Sequence, residues 1–177
     1  MNLASLWRLP VLFVCENNLY GIGTAIERST AVIHQHKRVS GYGIEAAETD
    51  GQDIEKVYDA AQLAVNHVRT RKGPYFLELM TYRYRGHSMS DSRGYRSREE
   101  EELWKQRDPI YILRDRLINE QAMTMADYEV IEREVDEYIE NEVIKFAEES
   151  PEPKVEELEK YVFAERDTQR RWLTGQA

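Results

Sequence analysis

The segment VLFVCENNLYGIG, residues 11–23, constrains the fold more than any other. Val11, Leu12, Phe13 and Val14 form a short unbroken apolar run, the pattern of a strand buried on both faces of a parallel sheet. The run gives way abruptly to Glu16-Asn17-Asn18. Open α/β sheets bind ligands at the carboxyl ends of their strands, so two adjacent amides there mark a candidate site. Gly21 and Gly23 follow, and glycine lets the backbone approach a neighbour closely. The Asn18 side chain offers a neutral oxygen, and a residue just past it offers a backbone carbonyl; hard cations such as Mg²⁺ accept both. The same pair also suits an ordinary strand-to-loop turn, because Asn tolerates left-handed backbone.

Two further strands are predicted. Ile44–Ala47 is a weak one. Thr49-Asp50-Gly51-Gln52-Asp53 then turns into a helix capped by Asp50 or Asp53. Its apolar face is Ile54, Val57, Tyr58, Ala61, Leu63, Ala64, Val65 and Val68. Arg69, Arg71 and Lys72 suit the negative end of the helix dipole, and Gly73-Pro74 ends it. Tyr75–Met80 is the third strand. Two strands flanking a helix of this length predict a βαβ crossover in a parallel sheet. Upstream, residues 1–8 read as the end of an amphipathic helix with Leu3, Leu6 and Trp7 on one face. The chain then opens inside a βαβ arrangement, as a fragment would.

Composition narrows the function classes. A net charge of −9 argues against nucleic acid and anionic membrane surfaces. No stretch is long and apolar enough to span a membrane. Cys15 is the single cysteine and sits in the apolar strand, as a buried thiol in a reducing compartment would. His34 and His36 are two residues apart, a spacing open to metal ligation, but no nearby Cys or carboxylate cluster in the sequence supports it.

Residues 81–98, TYRYRGHSMSDSRGYRSR, are rich in chemistry and poor in periodicity. They leave the carboxyl end of strand three, the same sheet edge as Asn18. Arg83, Arg85, Arg93, Arg96 and Arg98 are natural bidentate partners for phosphate. His87 is a candidate proton donor or phosphate contact. A solvated polar loop has the same composition. The rest is helical and acidic: Asp108-Pro109 starts one helix, and a capping-box-like Thr124–Asp127 starts another. The latter carries Tyr128, Ile131, Val135, Tyr138, Ile139, Val143 and Phe146 at helical spacing. Pro151 and Pro153 end it, and Val155–Tyr161 adds one short element.

Taken together, Leu6-Trp7-Arg8-Leu9-Pro10, CENNLYGIG, Asp50-Gly51 and TYRYRGHSMSDSRGYRSREE closely resemble the alpha subunit of the thiamine-diphosphate-dependent pyruvate dehydrogenase component, in the 2-oxo acid dehydrogenase family. The similarity runs in register from Met1 to at least Pro153. The resemblance implies the C-terminal part of an α/β, parallel-sheet thiamine-diphosphate-binding fold over residues 1–98, followed by a helical extension over 99–177. In the family a GDG aspartate, an asparagine of NN and a backbone carbonyl two residues later hold Mg²⁺ on the cofactor diphosphate. Carried over, Asn18 gives its side-chain oxygen and Tyr20 its carbonyl, whereas the GDG motif is absent. The histidine of GHS, here His87, is the catalytic and cofactor-binding candidate against that diphosphate, and Ser88 matches a position phosphorylated in mitochondrial members. A second family phosphoserine is replaced by Gly94, which argues against a dedicated kinase.

The implied function is oxidative decarboxylation of pyruvate, with acetyl transfer to the lipoyl arm of a dihydrolipoyl acetyltransferase. The implied cofactors are thiamine diphosphate and Mg²⁺. The implied partner is a pyruvate dehydrogenase beta subunit, whose glutamate activates the thiazolium. The compartment is then the cytoplasm in a bacterium, or the plastid or mitochondrial matrix in a eukaryote. Acetoin and branched-chain 2-oxo acids remain alternative substrates, and a truncated, non-catalytic interaction module is the rival reading. As a fragment, the chain alone is expected to be inactive.

Overall fold

A computed structural model describes residues 1–70, 72–158 and 160. Two compact units divide the chain, residues 1–125 and 126–177.

The first unit contains α1 (Asn2–Leu6), β1 (Leu12–Asn17), a two-stranded hairpin of β2 (Tyr20–Gly21) and β3 (Thr24–Ala25), and the short helices α2 (Ile26–Ser29) and α3 (Gln35–Val39). Then come β4 (Glu45–Asp50), α4 (Ile54–Arg69), β5 (Tyr75–Met80), α5 (Arg98–Lys105) and α6 (Pro109–Asn119). The division inferred from the sequence falls at residues 98/99; α5 and α6 lie in the first unit.

β1, β5 and β4 form a parallel sheet in that order, with β5 in the centre. Leu12 and Glu45 both pair with Tyr75, and Asn17 and Asp50 both pair with Met80, so all three strands end level. The β4–α4–β5 unit is the crossover that the hydrophobic pattern predicts. On one face Ala64 and Val68 of α4 pack against Tyr75 and Leu77. On the other, Val39 of α3 packs with Ile44 and Phe76, flanked by Phe13 and Cys15. Burying Leu77 or Phe76 contributes about 1.5–3 kcal/mol each.

Two apolar segments differ from expectation. β1 was expected to be buried on both faces; among the described residues it is one of the sheet's two edge strands, and Val14 is 53% exposed. Only the central strand, β5, has both faces covered. Leu3, Leu6 and Trp7 of the first helical turn are likewise exposed, and only Ala4 there is buried.

Asp53, not Asp50, caps α4: its carboxylate accepts from the Glu55 and Lys56 amides. It also pairs with Arg116 of α6 at 3.1 Å. Arg116 in turn holds the Asp53 carboxyl down at about 2, against the upward push of burial. The Asp50 carboxylate instead accepts from the Gln52 amide and pairs with Arg107.

The second unit holds most of α7 (Met125–Tyr138), which runs through a π-helical turn at Ile139–Ile144 into α8 (Lys145–Glu149). This is the helix expected from the spacing of Tyr128 to Phe146, with the π turn interrupting its regular period. Ile131, Val135, Tyr138 and Phe146 are exposed. The short element expected to end at Tyr161 is a 3-10 turn at Val155–Glu157; Tyr161 and Arg71 lie outside the described residues.

Candidate functional site at the carboxyl edge of the sheet

The two adjacent asparagines have different surroundings. Asn17 ends β1 and is buried. Its Nδ2 donates to Glu78 Oε1 at 2.7 Å, and its Oδ1 accepts from the Leu19 amide. Glu78 is fully buried in β5 and also accepts from the Gln35 amide, the His36 amide and the His36 ring. Burial alone would raise its pKa; these hydrogen bonds outweigh that and hold it below the usual carboxylate range. Asn17 is therefore part of the scaffold.

Asn18 is half-buried in the turn, and its Oδ1 accepts from the Tyr20 amide at 3.1 Å. Leu19 between them takes a left-handed φ of 70°. This is an Asx turn, one of the two arrangements the sequence leaves open. An amide oxygen has two lone pairs, so the turn bond leaves one for a hard cation. Asn18 and Tyr20 line a cavity of about 380 Å³ with Thr30, Gln35 and Arg38.

The expectation of a close approach holds at Gly23 and not at Gly21. A Cβ on Gly23 would meet the Tyr95 ring at 2.9 Å, whereas one on Gly21 would meet nothing within 4 Å. The neighbour that needs the glycine is thus Tyr95, from the loop that follows β5.

That loop, residues 81–97, lacks regular structure and is nonetheless tightly tied. Arg96 is its centre. Its side chain is fully enclosed and donates to Glu101 Oε1 at 2.8 Å, to the Tyr84 carbonyl at 2.6 Å and to the Arg83 carbonyl. Its guanidinium lies over Tyr82, with Tyr20 and Tyr95 at the rim. Arg93 completes the Glu101 pairing at 3.0 Å. Two of the five arginines expected to meet phosphate therefore organise the loop itself.

His87 is exposed, and among the described residues its ring makes no hydrogen bond. Only its backbone is held: the amide donates to Asp91 Oδ2 at 2.7 Å. Asp91 also accepts from the Arg93 amide and the Tyr95 hydroxyl, and with the His87 amide these donors hold its carboxyl down at about 2. His87 and Ser88 line a cavity of about 600 Å³ with Arg85, Asp91 and Arg93. Arg85 has no ion-pair partner among the described residues. Ser88 is exposed; its carbonyl accepts from the Asp91 amide, and among the described residues its hydroxyl hydrogen-bonds only the Ser90 hydroxyl.

Asn18 and His87 thus leave the same sheet edge but line different cavities, with no lining residue in common. Their link is a chain of contacts. The Tyr20 ring lies 5.5 Å from the Tyr95 ring, and the Tyr95 hydroxyl donates to Asp91, which holds His87. The Tyr20 hydroxyl donates to Glu100 at 2.9 Å. Arg83 spans the same gap: one nitrogen donates to the Ile22 carbonyl and the Tyr95 hydroxyl, while its Nε is buried with no hydrogen-bond partner. A buried orphan donor of this kind fits an anionic oxygen, although Arg83 lines neither the Asn18 nor the His87 cavity. Tyr95, Asp91 and Glu101 were not singled out from the sequence. Only Asp91, in a polar stretch before Ser92-Arg93-Gly94, carried a local turn signal.

The profile of the family described as dehydrogenase E1 component matches residues 1–156. The chain is 43% identical over 162 residues to the pyruvate dehydrogenase E1 component subunit alpha of Rickettsia conorii, covering 92% of this chain and 49% of that protein. It is 45% identical over 157 residues to the subunit of the same name from Rickettsia felis, covering 89% and 48%. It is 45% identical over 165 residues to the testis-specific mitochondrial form from Homo sapiens, covering 92% and 42%. The chain spans about half the length, or less, of these curated relatives. No described helix is long and apolar enough to cross a membrane.

Proposed function

The chain belongs to the dehydrogenase E1 component family, and from that membership we propose that it is part of the alpha subunit of a pyruvate dehydrogenase that uses Mg²⁺-thiamine diphosphate. The observation that supports this best is the shared edge: the Asn18 turn and the His87 loop leave the same end of one parallel sheet and are joined through Tyr20, Tyr95 and Asp91.

The roles follow from chemistry. Asn18 Oδ1 and the Tyr20 carbonyl are neutral oxygens suited to a hard cation that already carries phosphate oxygens. His87 and Arg85 line one open cavity as cationic or proton-donating groups able to meet the diphosphate. Bound thiamine diphosphate supplies the carbanion chemistry of 2-oxo acid decarboxylation. The residues of this chain bind, orient and neutralise the diphosphate. His87, held by its backbone alone, is the group able to hold or move a proton there. The partners on this reading are a beta subunit and a lipoyl-bearing acetyltransferase. The compartment is the cytoplasm of a bacterium, or the plastid or mitochondrial matrix of a eukaryote.

The test is an assay of the alpha subunit carrying this segment, paired with its beta subunit, on pyruvate, branched-chain 2-oxo acids and acetoin in parallel. Carbon dioxide release with acetyl transfer to a lipoyl domain is expected with pyruvate. Preference for either alternative reassigns the substrate, and no thiamine-diphosphate-dependent turnover on any of the three overturns the reading.

A further inference from the structure

We propose that His34, His36 and Glu48 form a binding site for one borderline first-row divalent cation, with Zn²⁺ as the reference ligand. In the sequence the histidine pair has no carboxylate near it. The fold supplies two. Glu48 of β4 and Glu78 of β5 are register partners in adjacent parallel strands, so their side chains lie side by side on one face of the sheet. α3 starts over that face. His34 precedes its first residue and His36 lies in its first turn, with the backbone anchored to Glu78.

The donors converge on one point. His34 Nδ1 is 2.5 Å and His36 Nδ1 is 3.3 Å from the same oxygen, Glu48 Oε2. The three ligand atoms all lie within 4.8 Å of one another. A tetrahedral centre with bonds of about 2.0–2.1 Å separates its donors by about 3.3 Å. The His36–Glu48 spacing already has that value, and the His34–Glu48 spacing must open by under about 1 Å, which two partly exposed side chains allow.

Charge balance points the same way. His36 Nδ1 faces both Glu48 Oε2 and Glu78 Oε2, the latter at 2.9 Å. One N–H serves one of them at a time. A divalent cation fits between these two neighbouring carboxylates, and Glu78 keeps its bonds to Asn17 and to the Gln35 and His36 amides when the His36 ring nitrogen turns from it to the ion. Imidazole nitrogens select Zn²⁺, Co²⁺ or Ni²⁺ over Mg²⁺, which demands oxygen ligands. The fourth position is open to water, since His34 and His36 are only half-buried and Glu48 is exposed. The bound ion would fasten α3, and with it the Glu78–Asn17 contact, to the edge strand β4.

The experiment titrates the metal-stripped 177-residue chain with Zn²⁺ by calorimetry. One site per chain is expected, undisturbed by excess Mg²⁺ and weakened by roughly tenfold or more in His34→Ala, His36→Ala and Glu48→Gln. His67→Gln should keep it. Nitrogen NMR of the unaltered chain gives a readout that needs no variant to fold: the ring signals of His34 and His36 should shift with Zn²⁺, while those of His67 and His87 stay in place. Absence of binding, full affinity in the three variants, or shifts at His67 or His87 instead would each overturn the proposal.

Discussion

Arg96 and Glu101 form an enclosed ion pair, Nε to Oε1 at 2.8 Å, with the Arg96 side chain fully covered and Glu101 nearly so. The pair ties the start of α5 to the loop that carries His87. Removing one partner of such a pair leaves the other charged, desolvated and unpaired, which costs about 3–5 kcal/mol. Arg96→Ala is therefore expected to lower stability by that order in urea titration. Arg96→Lys should recover only part, because one ammonium cannot reach Glu101 and two carbonyls in the guanidinium geometry. Unfolding midpoints for both variants within error of wild type would show that the loop does not depend on this hub.

Asn17 and Asn18 should separate cleanly. Asn17→Ala removes a buried donor from Glu78 and is expected to cost about 1–3 kcal/mol of stability. Asn18→Ala removes one local turn bond and should cost under about 1 kcal/mol. Its effect should appear as weaker Mg²⁺-thiamine diphosphate binding in the assembled enzyme. Calorimetry giving the same cofactor affinity for Asn18→Ala and wild type would remove Asn18 from the metal assignment.

What the amino-acid order reveals here is what periodicity and local chemistry carry. α4 and β5 appear where the spacing puts them, because one buries a stripe and the other both faces, and a Gly-Pro pair divides them. The strand after Ile44 runs to Asp50, beyond the expected Ala47, since Glu48, Thr49 and Asp50 are polar positions on an edge strand. Which of the three strands lies in the centre was not legible, because an apolar run marks burial and not strand order. Nor was the role of Arg96, since an arginine that holds its own loop and one that meets phosphate look alike in sequence. The same limit hid the Glu48–His34 meeting, which depends on strand register across 14 residues of chain.

Acid should act through Asp53. Arg116 depresses its folded pKa to about 2, from an ordinary value of 3.8. A depressed carboxylate contributes stability that is present above the unfolded value and lost as pH falls through the folded one. The urea midpoint is thus expected to fall between pH 4 and pH 2, a window set by those two values. Asp53→Asn keeps a capping side chain and loses the charge, so it should flatten that part of the profile. Asp53→Ala should cost a further amount of about 0.5–2 kcal/mol at neutral pH through the lost cap. A wild-type profile as flat as that of Asp53→Asn would place the acid sensitivity elsewhere.

Gly86 tests whether the His87 loop must keep its shape. A Cβ there would sit 2.8 Å from Asp91 Cβ and 3.0 Å from the Asp91 carbonyl. One of these contacts involves backbone, so the segment itself must move. Gly86→Ala should displace Asp91 from the His87 amide and weaken cofactor binding in the assembled enzyme, while the sheet's thermal unfolding changes little. Unaltered cofactor affinity would mean that the His87 position is not set by this approach.

Negative charge at Ser88 should act on the same groups without touching the fold. Ser88 is exposed, and its hydroxyl contacts only Ser90, so a carboxylate or phosphate fits without a packing cost. Its neighbours in the cavity are His87 and Arg85, the groups proposed to meet the cofactor diphosphate, and Asp91, whose depressed pKa keeps it ionised at neutral pH. An added anion therefore competes for the two cationic groups and also repels the incoming diphosphate. Losing one charge-assisted hydrogen bond is worth about 1.5–3 kcal/mol, roughly ten- to a hundredfold in affinity. Ser88→Glu should weaken thiamine diphosphate binding by that order in the assembled enzyme, more strongly at low salt, because an exposed charge is screened. Ser88→Ala should bind as wild type does, which separates added charge from a lost hydroxyl. Equal cofactor affinity for Ser88→Glu and Ser88→Ala would show that the His87 cavity does not face the diphosphate.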